Sequence, residues 1–368
     1  MNIELAQRAP KSDAKARPAI IDCDIHPALA KPSDIWPYLS KRWREHAQAY
    51  GLLPRHGFQS GPAYPKGQPD AARLDSWPPD GRPGSDLSFM QRQHLDANNV
   101  ELGVMTMISP AAAAAQNLDY GAALARAINE WQVAEWTSKE KRLKASIVIP
   151  YEDPQAAVAE IEHWADHPDF YQVMFLSRTA EPLGQRKYWP IFAAAACAKL
   201  PVAVHAFGYG GFPVTGGGWP SYYIEEMVGH SQCCQALLSS LVLEGVFERF
   251  PGTRVLLIEA GIAWLPPLLW RLDKHWQRLR SETPHLKRPP SEYIREHVWL
   301  TTQPMEEPER RKHFSDMVEW IGIDRLLFAT DYPHWDFDDP VWSIPVRLED
   351  DAREALFRGN ARTFYGLA

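Results

Sequence analysis

The chain has 368 residues, of which 45% are hydrophobic and 23% are charged, proportions typical of globular proteins. A formal net charge of -7 excludes the strongly basic surface by which proteins bind nucleic acid or anionic membranes. No apolar run reaches the length needed to span a bilayer, so we expect a small-molecule substrate and neither a nucleic-acid nor a membrane partner. The four cysteines lack a Cys-x-x-Cys pattern, which favours reduced thiols and a cytoplasmic location.

The first 17 residues are polar and mixed in charge, and they lack the apolar stretch of a secretory signal, so we expect a flexible tail over residues 1–17. From residue 18 onward, short runs rich in Val, Ile and Leu recur along the chain. Such nearly continuous apolar runs are typical of parallel strands that are buried on both faces. They predict eight strands, at residues 19–24, 102–108, 143–150, 171–176, 201–205, 254–259, 298–302 and 325–331.

Helical patterns separate many of these runs, at residues 120–141, 154–164, 188–199, 232–250, 264–280 and 307–320. Strands that alternate with helices in this number favour a single α/β domain, a (β/α)8 TIM barrel over residues 18–368. No Gly-x-Gly-x-x-Gly follows the first strand, which counts against a doubly wound dinucleotide-binding sheet.

Two irregular insertions interrupt the predicted barrel. Residues 51–88 are crowded with proline and glycine, and residues 207–221 form a second glycine-rich loop. Long irregular loops in a compact domain often serve as lids or binding loops, although a purely structural role is the alternative. We expect both insertions at the C-terminal face of the barrel, where barrel enzymes place their active sites.

The first predicted strand runs into two residues that can bind a metal ion, Asp24 and His26. Because side chains alternate along a strand, Asp22, Asp24 and His26 are expected on one face, at the mouth of the barrel. A carboxylate and an imidazole placed together can hold a divalent metal ion. The alternative is a capping aspartate beside a surface histidine.

Two further strand ends carry polar side chains. His205 ends the apolar fifth strand, and Asp331 follows the eighth. A buried aspartate is costly unless it is paired or coordinated, so Asp331 is a candidate both for binding a metal and for taking a proton from metal-bound water. A satisfied buried histidine and a helix-capping or ion-paired aspartate are the alternatives. Because strands 1, 5 and 8 end at the same barrel face, their polar residues predict one metal site.

Several stretches match a known family. They include Asp24 and His26 on the first strand, His205 on the fifth, and the three stretches Gly-Val-Phe-Glu-Arg-Phe-Pro (residues 245–251), Ala-Thr-Asp-Tyr-Pro-His (residues 329–334) and Gly-Asn-Ala-Arg-Thr-Phe-Tyr-Gly-Leu (residues 359–367). On these motifs, about residues 18–368 resemble the amidohydrolase superfamily. Within it, the chain is similar to the amidohydrolase-related branch typified by aminocarboxymuconate-semialdehyde decarboxylase.

The resemblance implies that one divalent ion, such as Zn, Mn or Fe, is held by Asp24, His26, His205 and Asp331. It also implies a homodimer, with a hetero-oligomer as the alternative. The family usually offers His-x-His or Glu-x-His on strand 1, whereas this chain has Asp-x-His. This departure leaves the identity of the metal open, because a mixed nitrogen and oxygen donor set suits several divalent ions.

A larger departure follows the sixth predicted strand. The decarboxylases that are similar to this chain have a histidine there that acts as acid and base, whereas this chain has Glu259. A carboxyl group has a reference pKa about two units below that of imidazole. Glu259 is therefore predicted either to act as a general base on metal-bound water or to ligate a second metal ion. A buried ion pair with Arg271 is the alternative.

Further candidates lie near the predicted barrel mouth. His230 precedes a predicted helix that begins near Ser231, which suits a metal ligand or a proton shuttle, with a surface histidine as the alternative. His334 is expected to hold a ligand or a substrate carboxylate. Three indoles are expected to wall an organic substrate or to pack in the core: Trp219, Trp264 and Trp335.

Four functional hypotheses follow. We favour a metal-dependent hydrolase of an amide, an ester or an activated C–C bond, because the histidine of the similar decarboxylases is missing. The second hypothesis is a non-oxidative decarboxylase of an unsaturated or aromatic acid. The third is a dinuclear Fe or Mn oxygenase, with Asp22 assisting a set of six donors: Asp24, His26, His205, His230, Glu259 and Asp331. A non-catalytic partner subunit ranks last, because such a protein is expected to have a broken set of metal donors, whereas the set in this chain is intact.

Overall fold

The computed structural model describes residues 17–52, 71–206 and 213–367. The predicted flexible tail, apart from Arg17, lies outside the described residues. Eight strands pair in parallel in chain order. They are β1 (Ile20–Ile25), β2 (Val100–Met105), β3 (Leu143–Val148), β4 (Phe170–Leu176), β5 (Val202–His205), β6 (Val255–Ile258), β7 (Val298–Thr301) and β8 (Leu326–Leu327).

Main-chain hydrogen bonds between β1 and the segment from β8 onward close the sheet into a barrel. The N–H of Cys23 donates to the carbonyl of Phe328 at 3.0 Å, and the N–H of His26 donates to the carbonyl of Tyr332 at 2.8 Å. Closure of all eight strands removes both sheet edges. The predicted (β/α)8 barrel is therefore confirmed.

Helices surround the strands. They are α1 (Lys41–Tyr50), α2 (Leu87–Met90), α3 (Leu118–Gln132), α4 (Pro154–Trp164), α5 (Trp189–Cys197), α6 (Tyr223–Leu243), α7 (Val246–Arg249), α8 (Leu265–Leu279), α9 (Pro290–His297), α10 (Arg311–Ile321), α11 (Asp350–Glu354) and α12 (Asn360–Tyr365). Helix α4 has the bounds that the sequence predicts, because Asp153 caps it by accepting from the N–H of Ala156 at 3.2 Å. Within the described ranges, no helix combines the length and apolarity that a membrane crossing requires.

Helix α6 begins earlier than its apolar pattern suggests. The pattern predicts a start at residue 232, whereas the helix starts at Tyr223. Glu225 explains the difference, because its carboxylate accepts from the N–H of Ser221 at 2.7 Å and from that of Tyr222 at 2.8 Å. His230 consequently lies inside the helix. The sequence had predicted that it precedes the helix, and this prediction is wrong.

Strand β8 is shorter than the predicted strand at residues 325–331. Beyond Leu327, side chains accept from two N–H groups that a regular ladder would pair with main-chain carbonyls. The N–H of Ala329 donates to the hydroxyl of Thr302 at 3.2 Å, and the N–H of Thr330 donates to Asp22 Oδ1 at 2.9 Å. The segment therefore stays beside β1 and β7 without a regular ladder.

The barrel interior contains its own apolar cluster. Strands on opposite sides of a barrel can touch only through its centre, and this cluster joins β1 to β5. Strands β1 and β6 each contribute two alternate residues, as the period of two requires, and α12 contributes the last two members. Its buried members are Ile21, Cys23, Ala203, Leu256, Ile258, Leu327, Ala361 and Phe364.

Candidate metal centre

Five buried polar residues meet where the strands end. Asp24 and His26 lie at the end of β1, His205 ends β5, Glu259 directly follows β6, and Asp331 lies beyond β8. None of the five is more than 6% exposed. The structure thus places at one face the residues that the sequence selected from separate strand ends.

An irregularity in β1 directs Asp24 into this group. Between Asp22 and Ile25 the strand advances three residues while its partner β2 advances from Gly103 to Met105. Such a bulge turns a side chain away from the direction that simple alternation gives. Asp22 and Asp24 therefore have different partners, which corrects the prediction that both serve one face.

The donor atoms lie close together. His205 Nε2 lies 3.0 Å from Glu259 Oε2 and 3.5 Å from Asp24 Oδ2. His26 Nε2 lies 3.3 Å from Asp24 Oδ1 and 2.8 Å from Asp331 Oδ1. One ligand atom from each of Asp24, His26, His205 and Glu259 lies within 4.8 Å of the other three. This spacing is compatible with a shared cation.

Thr106, the residue after β2, fixes both ligand candidates of β1. The carbonyl oxygen of Thr106 lies 2.8 Å from His26 Nδ1, and its hydroxyl donates to Asp24 Oδ1. A carbonyl can only accept, so Nδ1 carries a proton, and in the neutral ring the lone pair then lies on Nε2, which faces the carboxylates. This is the tautomer that a metal-binding histidine needs. No local sequence pattern marks Thr106 as part of the site, and it was not predicted.

The donor atoms of this site suit a divalent metal ion. Asp24 Oδ2 and His205 Nε2 are buried, and neither has a hydrogen bond of acceptable geometry to any part of the chain that the structure describes. Buried polar atoms are rarely left without partners. Two imidazole nitrogens and several carboxylate oxygens suit Zn, Mn and Fe.

Asp331 belongs to two further donor groups, one with His26 and His334 and one with Glu259 and Asp336. His334 Nδ1 lies 2.6 Å from Asp331 Oδ1. The amide of Gln303 donates to Asp331 Oδ2 at 3.2 Å. Asp336 was not selected from the sequence, because it lies in an irregular loop with no strand end to mark it. Its nearness to Asp331 along the chain is the one signal that could have found it.

Glu259 and Asp331 both have left-handed backbone conformations, with φ of 56° and 62°. Residues other than glycine are uncommon there, and such strain concentrates at functional sites. The N–H of Glu259 donates to the hydroxyl of Thr301 at 3.1 Å, which helps to hold the turn after β6.

Burial and mutual charge shift the pKa values of the site. Burial raises the pKa of Asp331, and Glu259 raises it further, to about 8. Burial, with the charges of Asp331 and Glu259, also raises the pKa of Asp336 to about 8. Burial lowers the pKa of His205, but Asp24 and Glu259 outweigh it and raise the value to about 9. Crowded buried carboxylates are costly, and a divalent cation offsets that cost.

A cavity of about 420 Å³ opens above this cluster. Glu259, His230, His334 and Asp336 contribute polar groups to its lining. Its apolar wall includes Leu29, Leu52, Ile108, Pro110, Met227 and Trp335. A concave, mostly apolar chamber with a few convergent polar groups is typical of a small-molecule site.

The described part of the first insertion contributes to the cavity. From the first insertion, Ala71, Arg82 and Pro83 line the cavity, in agreement with a role as a site wall. The predicted insertion residues 53–70 and 207–212 lie outside the described residues.

The other predicted residues lie in different places. His334 and Trp335 line the cavity, whereas Trp219 and Trp264 do not belong to its lining. Trp264 instead donates from Nε1 to the carbonyls of Ala260 and Gly261, at 2.8 and 3.0 Å.

His230 is 3% exposed and lines the cavity, but it does not belong to the donor groups found among the described residues. Burial lowers the pKa of His230 to about 4. The alternative pairing of Glu259 with Arg271 is wrong, because these two described residues form no ion pair: Glu259 contacts His205, and Arg271 lies 3.5 Å from His275.

The fold and the donor cluster define a (β/α)8 barrel protein with a candidate metal centre at the carboxyl ends of its strands. The chain belongs to the amidohydrolase family, whose family model matches residues 21–367. This finding confirms the resemblance that the strand-end motifs suggested.

Curated relatives in this family are decarboxylases. The chain is 24% identical over 301 residues to the gamma-resorcylate decarboxylase of Polaromonas sp. strain JS666, covering 77% of this chain and 88% of the relative. It is likewise 24% identical over 301 residues to that of Rhizobium sp. strain MTP-10005, with the same coverage. These relatives support the decarboxylase alternative and give no support to the preference for a hydrolase.

Solved structures share the fold. A 5-carboxyvanillate decarboxylase from Novosphingobium aromaticivorans, complexed with manganese and 4-hydroxy-3-methoxy-5-nitrobenzoic acid, has a TM-score of 0.71 at 20% identity, covering 95% of this chain and 96% of that chain. A 2,6-dihydroxybenzoate decarboxylase from Rhizobium has a TM-score of 0.67 at 20% identity, covering 95% and 99%. At this identity, the structural likeness shows the fold alone.

Proposed function

We propose that this protein is a metal-dependent, non-oxidative decarboxylase of an aromatic carboxylic acid. The observation that carries the proposal is the buried donor cluster at the base of a cavity with an apolar wall. The decarboxylase relatives support the reaction, and the manganese in the related structure supports a divalent ion. A flat aromatic ring suits the wall that Ile108, Met227 and Trp335 provide.

Asp24, His26, His205 and Asp331 would hold the ion, because Asp24 Oδ2 and His205 Nε2 are buried without a hydrogen bond and face each other across 3.5 Å. A bound divalent ion supplies a positive charge that anchors and polarises the oxygen atoms of an acidic substrate. Thr106 keeps the carboxylate of Asp24 and the imidazole of His26 in place for this role.

Decarboxylation also requires a proton. The bond between the ring carbon and the carboxyl carbon breaks, carbon dioxide leaves, and its electron pair stays on the ring carbon, which then takes the proton. Glu259 lines the cavity and contacts His205, so we assign the proton transfer to Glu259. Burial raises the pKa of Glu259, but His205 outweighs burial and lowers it, so the ionised carboxylate first takes a proton from solvent and then passes it to the ring carbon. His230 lines the same wall and orients the substrate.

The experiment is a substrate panel with protein loaded with Mn²⁺, Zn²⁺ or Fe²⁺. We expect hydroxybenzoic acids such as 2,6-dihydroxybenzoate to release carbon dioxide. In D₂O, one deuterium should appear at the vacated carbon for each turnover. Hydrolysis of aryl esters or amides with no decarboxylation would instead favour the hydrolase hypothesis and contradict the proposal.

A dinuclear centre is the second candidate, because the donor groups overlap. Glu259 belongs to one group with Asp24, His26 and His205 and to another with Asp331 and Asp336. A carboxylate shared in this way suits two ions, as an Fe or Mn oxygenase needs. Metal analysis separates the candidates. Two irons per chain with a visible chromophore support the oxygenase, and a single ion supports the decarboxylase.

The cellular setting completes the proposal. The described cysteines are all free, which supports a cytoplasmic enzyme. The homodimer implied by the family resemblance stays a prediction, and sedimentation of the purified protein tests it against a hetero-oligomer.

A further inference from the structure

Asp22 lies two residues before Asp24, at the seam where β1 meets the segment after β8. Its Oδ1 accepts from the N–H of Asp24 at 3.2 Å and from that of Thr330 at 2.9 Å. Its Oδ2 lies 2.8 Å from His94 Nε2 and accepts from the hydroxyl of Thr330 at 2.5 Å. An ionised carboxylate has about four lone-pair sites, so these contacts occupy all of them. Asp22 is therefore not the assisting metal ligand that the sequence suggested.

The partners of His94 determine which of its nitrogens donates. Arg17 can only donate, and its Nη1 lies 2.6 Å from Asn98 Oδ1. The amide nitrogen of Asn98 consequently faces His94 Nδ1, at 3.0 Å. Nδ1 is then the acceptor, and Nε2 carries the proton that His94 donates to Asp22.

The side chains of Asp22 and His94 also hold both neighbours of Asp331. Thr330 precedes Asp331 and is bonded to Asp22 through its N–H and its hydroxyl. Tyr332 follows Asp331, and its ring stacks on His94 with centroids 4.6 Å apart and planes 7° apart. A strained conformation such as the φ of 62° at Asp331 persists only where surrounding contacts enforce it.

We propose that Asp22 and His94 are positioning residues that hold Asp24 and Asp331 at the metal centre by fixing the main chain beside each of them. The inference rests on the proposed metal-dependent function. Neither residue belongs to the cavity lining, so both act through the residues that they hold.

Two substitutions of His94 separate the effect of its hydrogen bond to Asp22 from the effect of its ring, which stacks on Tyr332. His94→Phe keeps a ring that stacks on Tyr332 but cannot donate to Asp22. His94→Gln loses the ring and keeps an N–H at a similar reach. His297→Phe is the matched control, because His297 is also buried, stacks on Phe247 at 4.8 Å, and bonds through Nδ1 to a carbonyl.

The readouts are the Kd for Mn²⁺ by calorimetry, denaturant unfolding, and kcat and KM for the substrate. We expect His94→Phe to raise the Kd for Mn²⁺ about 10-fold or more, as removal of a supporting hydrogen bond does at metal sites. His94→Gln should recover part of the affinity, because it restores the donor to Asp22 but not the stack on Tyr332. His297→Phe should lose stability and keep the wild-type Kd. Thr330→Val removes the hydroxyl bond to Asp22 and the 3.3 Å bond from the N–H of Tyr332 but keeps the main-chain bond to Asp22, and it gives the same test if His94→Phe does not fold.

The outcomes separate this proposal from the proposed function. An unchanged Kd for Mn²⁺ in folded His94→Phe or Thr330→Val overturns the positioning role alone. A wild-type protein that binds Mn²⁺ but decarboxylates no acid overturns the reaction alone, and the shifts in Kd still support positioning. A wild-type protein that binds no Mn²⁺ overturns both.

Discussion

Thr106 contacts both ligand candidates of β1, through its carbonyl to His26 and through its hydroxyl to Asp24. Thr106→Val should remove the hydroxyl contacts with Asp24 Oδ1 and, at 3.2 Å, with His26 Nδ1, and keep the contact of the main-chain carbonyl with His26. We expect the affinity for Mn²⁺ to fall about 10-fold or more, because the carboxylate of Asp24 loses the donor that orients it. Titration calorimetry measures this change. Thr106→Ser keeps the hydroxyl and serves as the control, and equal affinity in the two variants would contradict the role.

Glu259 is the residue whose substitution tests the proton transfer. Glu259→Gln keeps the size of the side chain and removes its ability to exchange a proton. We expect kcat to fall about 10²–10⁴-fold, the contribution typical of a general acid or base, while one ion per chain remains bound. Steady-state assays with parallel metal analysis measure both quantities. A metal content that falls by half would show instead that Glu259 binds a second ion.

At the scale of single residues, the sequence predicted those that occupy strand ends. Asp24, His26, His205 and Asp331 each follow an apolar run, and strand ends share one barrel face. Thr106 and its partner Asp24 are 82 residues apart, and nothing local in the sequence joins them. The different roles of Asp22 and Asp24 depend on a bulge that alternation does not predict.

Among the elements, the loop between β6 and α8 is held from two sides. Trp264 donates to two carbonyls of this loop, and the carboxylate of Glu306 accepts from the N–H groups of Ile262 and Ala263. Glu259 opens the same loop. The polar contacts that stabilise this loop therefore also help to place Glu259, the proposed proton donor.

Trp264→Phe should break the two hydrogen bonds of the indole. We expect a loss of about 1–3 kcal/mol in the free energy of unfolding, because buried carbonyls lose a donor, together with a lower kcat. Guanidinium unfolding and kinetics measure the two effects. Trp270→Phe, at a position on α8 that is 55% exposed, is the control and should change stability by no more than about 0.5 kcal/mol. Similar losses of unfolding free energy in both variants would show that the hydrogen bonds of Trp264 to the loop do not stabilise the fold.

Element boundaries followed the sequence where a local signal exists. Asp153 with Pro154 marks the start of α4, and the predicted helix has the observed bounds. The start of α6 has no aspartate–proline signal of this kind, and the carboxylate of Glu225 caps its first turn instead. The end of β8 was overestimated, because side-chain partners there replace the ladder.

For the whole molecule, the barrel follows from the number of apolar runs and the helices between them. The interior cluster closes the centre of the barrel, while the polar ends of β1, β5, β6 and β8 remain for the site. The reaction could not be predicted from the sequence in the same way, because residues from loops far apart in the chain build the cavity.

Metal removal should destabilise the whole barrel. The buried carboxylates repel one another without a cation, and an ion that binds only the folded state stabilises it by mass action. At free Mn²⁺ of 100 times its Kd, we expect about 2.7 kcal/mol more unfolding free energy than in chelator. Calorimetric unfolding in Mn²⁺ and in EDTA measures this difference. Identical transitions in the two conditions would contradict a structural link between the ion and the fold.

The metal content of His205→Ala tests the central claim most directly. His205 is 0% exposed and its Nε2 faces both Asp24 and Glu259, so its loss removes the nitrogen donor that β5 contributes. Elemental analysis after desalting should find a bound divalent ion in the wild type and none in the variant, while circular dichroism shows an intact barrel. Full metal occupancy in folded His205→Ala would contradict the proposed metal centre.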